Sequence, residues 1–179
     1  MTVSSWVSRC LAAAGAIFLV LVVFLTASSP VRADPALVIP EQTVRPDGTA
    51  IMRVSLTSPD SGLSGVQFEV DFDSAAIDVR SQAPPELATA SKSLFSVERG
   101  PNSRRVLIAG PNQFRIPDGP IAELIVKARD GVSGSSHPLR LRNAIGTDAI
   151  GNEVPISARH GSITISSSSG FTGLVMYSR

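Results

Sequence analysis

An all-β fold, a jelly-roll sandwich of about nine strands, is the class this 179-residue sequence predicts. Two observations point to it. No segment sustains a helical period, and short runs of alternating apolar and polar residues recur between clusters of Gly, Pro, Asn, Asp and Ser. The spacing of these runs is that of a sandwich rather than of strands alternating with helices.

Ala36 to Ile39 reads as a first strand, stopped by Pro40. Arg45-Pro46-Asp47-Gly48 is a turn, with Pro pre-setting φ and Gly free to take φ > 0. In the second strand Ala50, Met52, Val54 and Leu56 share one face, with Ile51, Arg53 and Ser55 on the other. After the loop Ser58 to Gly62 comes the third strand, Gly65 to Phe72, where Val66, Phe68, Val70 and Phe72 form the core side. Gln67, Glu69 and Asp71 form its polar side, and Asp73 is placed to cap the turn through Ser74 and Ala75. Ile77 to Arg80, Leu94 to Glu98 and Arg105 to Ala109 follow. The loop GPNQFRIPDGP leads to Ile121 to Ala128; Asp130-Gly131 is a turn, and Pro138 to Arg142 and Ser162 to Ile165 complete the set.

Ahead of these strands, Leu11 to Leu25 is an unbroken apolar run behind Arg9, and Val31-Arg32-Ala33 offers a signal-peptidase cut between Ala33 and Asp34. Its fifteen residues fall short of the roughly 20 that a spanning helix prefers. The division expected is a signal peptide at 1–33, the sandwich at 34–166 and a flexible tail at 167–179, in a protein secreted to the exterior or the cell surface. Membrane contact follows only if the apolar segment is retained.

Composition narrows the function classes. Sixteen basic and fifteen acidic residues nearly balance, and the leader takes Arg9 and Arg32 with it, so no general attraction to nucleic acid or anionic lipid is expected. The single cysteine, Cys10, lies in the leader; the remainder has no disulfide, thiol nucleophile or thiolate metal site. The single Trp is Trp6 and the single Tyr is Tyr177, so the body of the domain lacks the rings that usually stack on sugars. Glu69 and Asp71, two apart on one strand face, lie about 7 Å apart at Cα, a spacing glycosidases use, but without a sugar platform the pair reads as a solvated face. No G-x-S-x-G elbow is present, and His137 and His160 stand alone as turn residues rather than zinc ligands. No cofactor is expected; a surface calcium site built on Asp73 and a distant loop stays open.

In this strand order the chain resembles a cohesin module of the carbohydrate-binding-module-like β-sandwich superfamily. The residues that carry the resemblance are the Pro46 to Thr49 turn, Gly65 to Val79 (GVQFEVDFDSAAIDV), Gly119 to Lys127 (GPIAELIVK), Asn143 to Pro155 (NAIGTDAIGNEVP) and Gly161 to Ile165 (GSITI). They span about residues 36 to 166, with Ser74 where the family usually carries Pro. The resemblance implies a non-catalytic module that binds a dockerin-like partner, itself a possible Ca²⁺ carrier, through the third, fifth, sixth and eighth strands. Carried onto this sequence, that face comprises Gln67, Glu69 and Asp71; Ser96 and Glu98; Arg105, Leu107 and Ala109; and Arg140 and Arg142. Arg140 and Arg142 are expected beside Glu69 and Asp71, with Leu107 as an exposed apolar anchor. Gly65 and Gln67 stand where the family carries an Asn/Asp contact pair, which argues against a standard dockerin and leaves a divergent partner open. Polysaccharide binding is the alternative that the superfamily suggests.

Overall fold

The computed structural model describes residues 33–59 and 61–167. The expected signal peptide, apart from Ala33, and nearly all of the expected tail lie outside these residues. Ala33 and Asp34 are exposed ahead of the first strand.

Twelve strands and one helical turn are formed among the described residues: β1 (Ala36–Val38), β2 (Glu41–Val44), β3 (Thr49–Thr57), β4 (Gly65–Asp71), β5 (Ile77–Gln82), α1 (Glu86–Thr89), β6 (Ser93–Gly100), β7 (Ser103–Ala109), β8 (Gly119–Ala128), β9 (Ser135–Thr147), β10 (Glu153–Pro155), β11 (Ser157–Arg159) and β12 (Gly161–Ile165). All nine expected strands are present. The three that the sequence did not announce, β2, β10 and β11, have three or four residues each, too few to display alternation. The α1 turn escapes for the same reason, since its one inward residue is Leu87. A larger difference is β9, which continues for 13 residues through Asn143 to Thr147, a stretch expected to be loop. Asn143 takes φ 49°, and this left-handed residue lets the strand bend and go on pairing with β4 beyond a bulge.

Two sheets stack face to face. One has the order β11-β1-β3-β8-β5, the other β2-β12-β9-β4-β7-β6, with β10 paired to β9. Two segments change sheets midway. Around Pro40 the chain passes from β1 to β2, and around His160 from β11 to β12, so that β1 runs parallel to β11 and β2 parallel to β12. Pro40 interrupts the ladder because it has no N–H to donate. Gly161 is required by proximity, since a Cβ there would overlap the Pro40 carbonyl oxygen and the Ile39 side chain.

The core lies between the sheets. Ala50, Met52, Val54 and Leu56 of β3 meet Val66, Phe68 and Val70 of β4, all at most 5% exposed. Leu124 and Val126 of β8, Val106 and Ile108 of β7, and Ile163 and Ile165 of β12 fill the rest. Phe72, expected in the core, is only partly buried against its rim, because β4 ends at Asp71. With no disulfide in this part of the chain, apolar burial at about 25 cal/mol per Å² carries the stability.

Candidate interaction face

The four strands expected to build the face are consecutive in one sheet, in the order β9-β4-β7-β6. Side chains on the outer surface therefore fall into rows across the strands. One row runs Phe95 (β6), Leu107 (β7), Gln67 (β4), Ile145 (β9). The next runs Val97, Arg105, Glu69, Arg142, and a third Ser103, Asp71, Arg140. Of the residues expected at the face, Gln67, Glu69, Asp71, Arg105, Leu107, Arg140 and Arg142 fall in these rows.

The charged rows are cross-linked. Arg105 donates from Nε (2.9 Å) and Nη2 (2.6 Å) to Glu69 Oε1, while the Asn143 amide donates to Glu69 Oε2 at 2.7 Å. The Arg105 bonds hold the Glu69 carboxyl below its ordinary pKa; burial pushes the other way, and Asn143 adds to the lowering. Glu69 is thus less wet than the sequence suggested, with a side chain 13% exposed beneath Arg105. A depressed pKa is the reverse of what a general acid needs. Arg142 Nε reaches Asp71 Oδ2 at 2.8 Å, one row along from the residue directly opposite it. Asp73 accepts from the Ala75 N–H at 3.0 Å, the cap expected of it, and its other oxygen lies 3.5 Å from His137 Nδ1. No group of three His, Cys, Asp or Glu able to hold a metal occurs among the described residues.

The fifth expected strand corrects the reading of parity. Ser96 and Glu98 do not face outward with Leu107. Ser96 accepts from Arg104 Nη1 and Arg104 Nε donates to the Val79 carbonyl of the opposite sheet, so Ser96 lies on the inner side of β6. Glu98, which accepts from Arg104 Nη2, has the same parity but a side chain 75% exposed at the sheet's edge. The outward residues of β6 are Phe95 and Val97, 56% and 58% exposed, beside Leu107 at 40%. Leu94-Phe-Ser-Val alternates in either phase, and the aromatic invites burial. Only the partly buried guanidinium of Arg104, which claims the inner positions, decides the phase. Leu107 therefore belongs to an apolar corner rather than standing alone in a polar ring.

No family model and no curated protein matches this chain. Solved structures do. The cohesin of the OlpA cohesin–dockerin complex from Clostridium thermocellum superposes with a TM-score of 0.64 at 20% identity, over 74% of this chain and 99% of that one. A non-cellulosomal cohesin from the archaeon Archaeoglobus fulgidus gives 0.63 at 16% identity, over 76% and 94%. The solution structure of CaCohA2 from Clostridium acetobutylicum gives 0.62 at 16%, over 75% and 93%. The fold is that of a cohesin. Within the cohesin fold, the bulge at Asn143 brings an amide onto Glu69, and the parity of β6 brings Phe95 and Val97 beside Leu107; neither was named from the sequence. The signal for Asn143 was only the general tolerance of Asn for φ > 0.

Proposed function

We propose that this chain is an exported, non-catalytic cohesin-like module that binds a dockerin-type or divergent protein partner and serves extracellular polysaccharide-degrading assemblies. The observation that carries the reading is the open face of β9-β4-β7-β6, where an apolar corner of Phe95, Val97 and Leu107 adjoins a pinned lattice of arginines and carboxylates. Apolar anchors bordered by preorganised polar groups are how protein interfaces concentrate affinity. Several solved structures of this fold, the OlpA complex among them, are complexes with dockerins, which supports the same class of partner. The apolar run Leu11 to Leu25 and the Val31-Arg32-Ala33 triplet support export.

The test is calorimetric titration with calcium-loaded dockerins encoded in the same genome, against wild type and Leu107→Arg. Saturable binding that weakens at least about tenfold on Leu107→Arg is expected. Equal affinity for the two proteins would remove this face from the reading. Retardation in soluble polysaccharide gels, with no dockerin bound, would move the function to carbohydrate recognition without an aromatic platform.

A further inference from the structure

Besides the three-residue β10, which pairs only with β9, the described strands leave four sheet edges, and they are defended unequally. In the five-stranded sheet, β11 offers three residues, and β5 carries Asp78 and Arg80 along its six. In the other sheet, β2 offers four residues beginning with a glutamate. The remaining edge is β6, eight residues long, without proline, and uncharged from Ser93 through Val97. Among the described residues, no backbone hydrogen bond outside the β6–β7 ladder involves Ser93 to Gly100. Long, uncharged, apolar edges are what proteins ordinarily avoid or use for strand addition.

We propose that β6 pairs antiparallel with β6 of a second copy of this chain, joining two sheets into one. Self-complementarity selects this occupant. With the two-fold axis through Ser96, Phe95 of each copy lies opposite Val97 of the other, an aromatic–β-branched pair formed twice on the outer face. Ser93 then meets Arg99 and Leu94 meets Glu98, so no like charges oppose each other. Sliding the copies so that Glu98 or Arg99 lies on the axis sets like charges face to face, and centring on Val97 replaces the two Phe95–Val97 pairs with one Val97–Val97 pair and sets Phe95 opposite Arg99. An eight-residue edge makes a small interface, of the weak and concentration-dependent kind. The axis stands normal to the sheet, so both outer faces look the same way. The pair presents two copies of the Leu107 corner side by side, a bivalent platform whose second engagement is intramolecular. The pairing needs only the β6 edge and stands whether or not a dockerin binds the face.

Sedimentation velocity of the full chain across a wide concentration range tests the proposal, together with Val97→Lys, Leu107→Arg and a variant ending at Ser167. A reversible dimer is expected in wild type and in Leu107→Arg, with Val97→Lys weakening self-association at least about tenfold, as a gatekeeper charge on an edge does. Amide exchange should slow at residues 94 to 98 as concentration rises. A wild type that stays monomeric throughout would overturn the proposal. So would a dimer that keeps fast exchange at residues 94 to 98, or dimerisation that appears only after removal of residues 168 to 179, which would make the tail the occupant of the edge. Leu107→Arg strikes the face and leaves the edge, so loss of partner binding with the dimer retained reads the two apart; Val97 belongs to both the corner and the edge, and Val97→Lys is read by sedimentation alone.

Discussion

Glu69 shows how one side chain can be recognised in the sequence and still be misjudged. Alternation in GVQFEVD gives its outward direction, because period two leaves no other choice for a half-buried strand. Its burial depends on Arg105, 36 positions away, and Asn143, 74 away, and no local pattern encodes either. The pairing has a pH consequence whose sign is fixed. The folded-state pKa is lowered, so between the folded value and the ordinary glutamate value, roughly 4.3, the unfolded chain holds more protons than the folded one. The stabilisation is complete above that ordinary value and is lost as pH falls through the folded pKa. Glu69→Gln is therefore expected to melt lower at neutral pH and to lose less than wild type on acidification below about pH 4, as followed by circular dichroism. At Leu107 the direction was equally legible, but its neighbours were not. The expected loss of partner affinity in Leu107→Arg reports on the corner it shares with Phe95 and Val97.

Among the elements, the central strands β3, β4 and β8 were legible, the shortest were not, and β9, the longest, was legible only over Pro138 to Arg142. β3, β4 and β8 have seven to ten residues and pair in the middle of their sheets, so burial imposes alternation or near-continuous apolar runs. The β1–β2 and β11–β12 segments change sheets after three or four residues, which resets the inward parity before any period can register. Their crossing leaves its trace in single residues instead, Pro40 and Gly161. Gly161→Ala is expected to cost about 2 kcal/mol or more, because the clash is with backbone at Pro40 and no rotamer relieves it. Chemical denaturation would measure it, and Gly151→Ala is the comparison. Gly151 sits at φ 89° with open space around it, so strain there comes from its own conformation and not from a neighbour. β6 is the intermediate case: its existence was legible, but its inward face was decided by Arg104, a charged side chain lodged beside the core.

At the scale of the whole molecule, stability rests on one apolar layer shared by both sheets. Phe68 lies at its centre, fully buried, and Phe68→Ala is expected to cost about 3–5 kcal/mol. That is a large share of the 5–15 kcal/mol typical of a domain, with no disulfide to hold what remains. A fall in the denaturant midpoint with unchanged slope would identify the loss as packing. The same architecture also decides how the domain bears load. β1 enters at one end of the sandwich and β12 leaves at the other, each locked to its counterpart by a parallel ladder, β1 to β11 and β2 to β12. Tension between Ala36 and Ile165 therefore acts along those ladders, and their bonds must give way together rather than peel open one at a time. A protein tethered at both ends on a moving surface would resist extension here through a high rupture force and a slow forced-unfolding rate.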